Sequence, residues 1–353
     1  MERITRIRER LQAEGADVFL VSNPVNRRYL TGFTGSAGLV WISNTRQAIL
    51  TDFRYLEQVK TECPGWELIR IESYIESLKT LTEEDNVQTI AFEKDYVTVK
   101  QMEDWQEKLT PQFTGITGWV EELRMIKNKE EIENIKKAAK IADEAFAKLL
   151  PTLRSGLTER EVALELEFLM RKAGASGMSF DPIVASGPRS ALPHARPGER
   201  IFSVGDFVVF DFGCIINGYC SDMTRTVVIG EPEEQHLLIY DLVLEAQMKS
   251  LAAVGPGKTG VEVDAIARDI ISDMGYGEYF GHGLGHSLGL EVHESPRLSK
   301  TDQTALKPGM IVTVEPGVYL PGFGGVRIED LVLVTEDGAE VLSSTFKELY
   351  VVG

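Results

Sequence analysis

The chain has 353 residues, a formal net charge of −17 and 43% hydrophobic residues, ordinary globular composition in a length that suits two domains better than one core. The acidity argues against a nucleic-acid footprint and against anionic membrane surfaces; part of it can be carboxylates that hold cations. Cys63, Cys214 and Cys220 lack CxxC spacing, so they form neither a disulfide framework nor a thiolate zinc site.

The first residues, MERITRIRERLQAEG, predict an amphipathic helix with Ile4, Ile7 and Leu11 on one face. They contain no apolar h-region, and no run of about 18 apolar residues follows, so the expectation is a cytoplasmic protein without a membrane partner. Strands are predicted at Asp17–Val21, Ala37–Ser43, Gln47–Asp52, Trp66–Ile71 and Thr89–Glu93. Helical patterns lie between several of them, which makes residues 1–123 an α/β layer domain. The glycine-rich TGFTGSAG (Thr31–Gly38) lacks GxGxxG and a terminal GK[ST]; it reads as a tight connection into a strand.

Residues 124–353 form the second domain. Asn128 with Glu131 predicts a capping box, followed by a stripe of Ile132, Ile135, Ala139, Ala142, Phe146 and Leu149. Thr158 with Glu161 opens another helix, which Gly174 ends. After the loop SFDPIVASGPRSALPHARPG (Ser179–Gly198) come two β-rich runs, Phe207–Phe212 and Tyr219–Ile229, around Asn217-Gly218. That dipeptide is a strong hairpin signal because both residues accept the positive φ of a type I′ turn. A two-residue turn sets Gly213 opposite Asp222 and Asp211 opposite Thr224, so Asp211 and Asp222 share a face as diagonal neighbours, about 7–8 Å apart. Such a pair suits two metal ions about 3.5–4 Å apart. On this stretch alone, an ordinary hairpin with two solvent-facing acids fits as well.

The order then repeats. A helix is predicted over 233–254, and Thr259 with Glu262 caps another containing Ile266, Ile270 and Ile271. The loop GHGLGHSLGLEVHESP (Gly281–Pro296) precedes a second strand pair, Gly309–Gly317 and Gly324–Thr335, which carries Glu315 and Glu329. Two helices followed by a strand pair bearing two acids occur twice. This predicts a pseudo-symmetric α+β domain with its site where the halves meet. Of five histidines, His282, His286 and His293 fall in the glycine-rich loop and His194 in the proline-rich one; His236, on a charged helix start, reads as surface. Four carboxylates with one imidazole are mostly hard ligands and favour Mn²⁺, Co²⁺ or Fe²⁺. Two ions bridged by them would generate a metal-bound hydroxide at neutral pH. No Ser-His-Asp motif, cysteine nucleophile elbow or P-loop competes.

The motifs DFG with YCSDMTRT, GHGLGHSLGLEVHESP, TVEPGVY and GVRIED, in this order, resemble the pita-bread metallopeptidases that cleave Xaa-Pro bonds, the prolidase and aminopeptidase P group. NRRYLTGFTGSAG and TDFRY resemble the creatinase-type N-terminal domain of the same group. The resemblance implies a dinuclear centre held by Asp211, Asp222, His286, Glu315 and Glu329, with Glu315 also the general base. It implies that His194 lies over the scissile bond and stabilises the tetrahedral intermediate, that His293 contacts the proline-side carbonyl or carboxylate, and that His282 is a further site histidine outside the metal ligands. Arg327 would orient an acid ligand, with Thr224 behind the site, and Arg297 would pair with a dipeptide's free carboxylate. The implied function is hydrolysis between an N-terminal residue and proline by a homodimeric enzyme whose N-terminal domain mediates dimerisation. A dipeptidase is favoured through Arg297. The alternatives are an aminopeptidase P acting on longer peptides and, in another class, a non-catalytic binding protein of the same fold. Methionine aminopeptidases usually lack the N-terminal domain, and creatinase works without metal.

Overall fold

The computed structural model describes residues 2–353, and the chain divides into two compact units, Met1–Arg124 and Met125–Gly353. The first unit is built on a six-stranded mixed sheet. Its spatial order is Glu67–Arg70, Gln47–Thr51, Leu39–Ser43, Val18–Val21, Thr89–Glu93 and Gln112–Ile116. The first five of these match the sequence expectation to within two residues at each end. The sixth went unread because QFTGI has little apolar patterning; as an edge strand it leaves four of its five positions partly buried or exposed, and only Ile116 is buried. The Thr31–Gly38 connection winds around a buried arginine. Arg27 donates to the carbonyls of Gly35 and Gly38, each at 2.6 Å, and Gly32 closes the preceding helix at φ 84°. Trp41, Leu50, Leu78, Ile90 and Trp105 belong to the core of this unit.

The second unit shows the repeated order. The helices Lys129–Leu149 and Glu159–Lys172 precede the first hairpin, and Glu234–Ala253 and Gly260–Asp273 precede the second. Capping boxes at Asn128, Thr158 and Thr259 start three of the four. The predicted stripe of the first helix is buried from Ile135 to Leu149, with Ile132 partly covered.

The first hairpin turns at Asn217 (φ 49°) and Gly218 (φ 85°). Ile216 faces Tyr219, and beyond an interruption Asp211 faces Thr224, so the register set by a two-residue turn runs its full length. The ladder itself does not. Phe207–Phe212 and Met223–Ile229 lie in a four-stranded sheet, whereas Cys214–Ile216 and Tyr219–Cys220 lie in a separate three-stranded one. The chains pinch at the break: a Cβ on Gly213 would sit 1.8 Å from the Ser221 carbonyl oxygen, and the Ser221 hydroxyl accepts the Cys214 N–H.

The second hairpin repeats the device. Ile311–Val314 pairs with Asp330–Val334 and Gly317–Leu320 with Gly324–Arg327, again in one register. The ladder parts at Glu315-Pro316 and Ile328-Glu329. Pro316 has no N–H to offer, and the Glu329 N–H crosses to the Thr224 carbonyl of the first hairpin at 3.1 Å. The break of the second hairpin is therefore tied to the first hairpin just past its own break, and acidic side chains lie at or beside both.

His236 is not at the surface. Its Nδ1 accepts the Glu233 N–H and its Nε2 donates to Gly205 O at 3.0 Å, while the ring packs on Phe207 and Phe323. Its charged neighbours concealed a helix position that turns inward.

Candidate metal centre and active site

A cavity of about 1070 Å³ is lined by His194, Asp211, Asp222, His282, His286, His293, Arg297, Glu315, Arg327 and Glu329. Ligand atoms of Asp222, His286 and Glu329 lie within 4.8 Å of one another. His286 Nε2 is also 3.3 Å from Glu315 Oε1 and 3.7 Å from Asp222 Oδ2. Its Nδ1 lies 3.1 Å from the Ser287 carbonyl, which can only accept. Nδ1 therefore carries the proton in the neutral ring, and Nε2 presents a lone pair to the acids, the tautomer a metal ligand needs.

Burial pushes the Asp222 and Glu329 carboxyls well above their ordinary values, and neighbouring carboxylates add to it. Asp211 is raised by burial against the pull of Arg327. Burial would also raise Glu315, but His286 in its protonated form, which adds an N–H at Nε2, donates to Glu315, and that bond and charge outweigh burial and hold it at about 2. His286 rises in turn, because the Glu315 bond and charge exceed its own burial. Asp211 Oδ1, Asp222 Oδ1 and Glu329 Oε1 are buried without a hydrogen-bond partner. Buried, unsatisfied oxygens of like charge are costly unless a cation lies among them. The residues fit divalent metal ions, which would act there as Lewis acids and acidify a bound water.

Arg327 orders the acids from behind. Its Nη2 donates to Asp211 Oδ2 at 2.5 Å, its Nε to Thr224 Oγ1 at 3.1 Å and its Nη1 to the Tyr319 hydroxyl at 2.7 Å. Thr224 Oγ1 donates onward to Glu329 Oε2 at 2.6 Å. Thr224 is wholly buried and lies behind the cavity wall. Tyr319, which sequence reasoning missed, donates to His282 Nε2 at 3.0 Å, and His282 Nδ1 donates to Gly283 O at 2.7 Å. Burial first, and then the Arg327 charge, keep His282 below the ordinary histidine range. Thr313 was missed as well; its hydroxyl accepts the His286 N–H and donates to Glu315 Oε1, each at 3.0 Å. The signal for both was strand alternation: positions 313, 315, 317 and 319 share one parity along the hairpin arm that carries the acid, whose register continues through the break.

The His293 ring meets His286 edge-on with centroids 4.5 Å apart, and burial and the His286 charge lower its pKa. His194 and Arg297 are exposed at the cavity wall. Arg297 is the cross-strand partner of His286. Directly opposed residues share a sheet face, so its side chain leaves the backbone on the same side as that of His286. Phe180, Pro182, Ile183, Tyr279 and Val292 supply an apolar wall.

This site defines a two-unit hydrolase of the metal-dependent kind. Residues 133–336 match Metallopeptidase family M24, and residues 3–126 match the Creatinase/Prolidase N-terminal domain. A solved structure titled Xaa-Pro dipeptidase from Bacillus anthracis is 47% identical with a TM-score of 0.98, covering 100% of this chain and 99% of that one. An Xaa-Pro dipeptidase of Pyrococcus furiosus is 41% identical over 99% of both chains. A structure titled X-Pro aminopeptidase from Thermotoga maritima is 39% identical with a TM-score of 0.92, covering 99% of this chain and 100% of that one. The chain belongs to metallopeptidase family M24. Its fold is the expected one, a creatinase-type N-terminal domain followed by the pita-bread catalytic domain.

Proposed function

We propose that this protein is an Xaa-Pro dipeptidase, hydrolysing the bond between an N-terminal residue and a C-terminal proline. The observation that carries the reading is Arg297 opposite His286, on the same sheet face. A dipeptide presents its proline carboxylate immediately beyond the scissile bond, where a guanidinium can take it bidentately. The dipeptidases of Bacillus anthracis and Pyrococcus furiosus support the same reading.

Asp211, Asp222, His286, Glu315 and Glu329 would hold two divalent ions, with Mn²⁺ the proposed metal, and these ions supply the charge that acidifies water and polarises the carbonyl. Glu315 accepts the proton from the attacking water and returns it to the departing proline nitrogen. His194 donates to the oxygen that gains charge in the tetrahedral intermediate. His293 holds the proline side, and His282, fixed by Tyr319 and Gly283, faces the same cavity. In the proposed division, residues 1–123 form the creatinase-like domain and 124–353 carry catalysis. The enzyme is further proposed to be a cytoplasmic homodimer; among the described residues no helix is long and apolar enough to cross a membrane.

The deciding experiment is Arg297→Ala assayed on Ala-Pro and on Ala-Pro-Ala. A charge-assisted contact of about 1.5–3 kcal/mol corresponds to about 10- to 150-fold in kcat/KM. That loss should appear on the dipeptide and not on the tripeptide. Equal loss on both substrates, or none on either, would replace the dipeptidase with an aminopeptidase acting on longer peptides. Sedimentation should give a dimer at assay concentration; a fully active monomer of 39.2 kDa would refute the assembly.

A further inference from the structure

We infer that Glu159 is a positioning residue for His194; the inference rests on the catalytic role proposed for that histidine. Glu159 begins the helix Glu159–Lys172 and is 0% exposed. A buried carboxylate is costly unless donors surround it, and its donors here come from the segment that carries His194. Oε1 accepts from the Ser186 N–H and hydroxyl, both at 2.9 Å, and Oε2 accepts the Gly198 N–H at 3.0 Å. Arg189 Nε lies 3.2 Å from Oε1 and 3.1 Å from Oε2.

These contacts fall on both sides of His194 in the chain. Ser186 and Arg189 precede it; Gly198 follows. Arg189 extends the hold by donating Nη2 to the Arg196 carbonyl at 2.6 Å, two residues past the histidine. On the other flank, the Ser190 hydroxyl accepts the Gly325 N–H at 2.8 Å, close in sequence to Arg327. His194 itself is exposed at the cavity, so the closed base of its loop, rather than packing of the imidazole, sets where it stands. Misplacement of a catalytic group by about 1 Å can cost about 10²-fold.

Glu159→Gln tests this with almost no change in volume. The Ser186 and Gly198 N–H groups point at different oxygens, so either orientation of the amide sets its NH₂ against one of them. Ala-Pro hydrolysis, metal content and Tm are compared for Glu159→Gln, His194→Ala and the double variant. The expected result is a fall in kcat of about 10-fold or more for Glu159→Gln, within the range cited for misplacement, with KM and metal content near wild type. In the His194→Ala background the same change should cost less than about twofold, because coupled residues are not additive. If His194→Ala is impaired and Glu159→Gln is not, the positioning role is overturned while the role of His194 stands. An equal loss from Glu159→Gln in both backgrounds makes Glu159 a general support of the fold and also overturns it. Wild-type turnover of His194→Ala overturns the proposed catalytic role and this inference together. Should Glu159→Gln fail to fold, Arg189→Met, which cuts the tie to Arg196, is put through the same cycle; non-additivity supports the inference and additivity overturns it.

Discussion

The two hairpins of the catalytic unit use one device with different chemistry. Each keeps the register of a continuous hairpin through a break in its ladder, and each places acids at or beside that break. In the first, the acids are diagonal: Asp211 faces Thr224, and Asp222 lies at the pinch beside Ser221. In the second, the common register sets Glu315 opposite Glu329, the longer side chains reaching the same centre. His286 Nε2 stands nearer Glu315 (3.3 Å) than Asp222 (3.7 Å). Accordingly Glu315 is held near 2, while burial first and neighbouring carboxylates second push up Asp222 (Glu329, Asp211 and Glu315) and Glu329 (Glu315 and Asp211). Similar backbone geometry thus gives one acid whose charge His286 favours and others whose charge burial and neighbouring carboxylates oppose. The lesson is that acid position follows from strand register, whereas the electrostatic environment of each acid follows from burial and from the groups that other elements bring to it.

The largest expected effect is on the first hairpin. Asp222→Asn removes one charge from the cluster with His286 and Glu329 and should lose at least one of two ions and nearly all turnover. Metal analysis showing full occupancy with normal kcat would break the equivalence of the two acid pairs. Next comes Glu315→Gln in the second hairpin, expected to lower kcat about 10²–10⁴-fold, the range for loss of a general base, with little change in substrate binding. A variant that keeps wild-type kcat and only raises KM would move that role off Glu315. Thr224→Val is the smallest of the three. It deletes the hydroxyl between Arg327 and Glu329 and should weaken metal affinity about 10–100-fold, as read by titration calorimetry. Unchanged affinity would mean that Glu329 is oriented by its backbone bond to Thr224 alone.

Much of this was legible along the chain. The Asn217-Gly218 turn set the register that brings Asp211 opposite Thr224, and Asn128, Thr158 and Thr259 each marked a helix start that the structure contains. These signals are local: turn chemistry and capping act within four residues, so sequence by itself determines them. The family motifs then identified which histidines and acids to bring together. The tertiary structure alone decided the rest. Tyr319 becomes part of the site only when Arg327 and His282 converge on its hydroxyl. Glu159 is one more acid in a helical first turn until the Ser186–Gly198 loop folds over it. His236 turns inward because Phe207 and Phe323 wait beneath it. For Glu159 and His236 the partners lie far along the chain, and a hydrogen bond or a ring contact between distant residues has no periodicity by which one sequence could announce it; Tyr319 shares the parity of Glu315, but nothing along the chain marks its hydroxyl as the meeting point of Arg327 and His282.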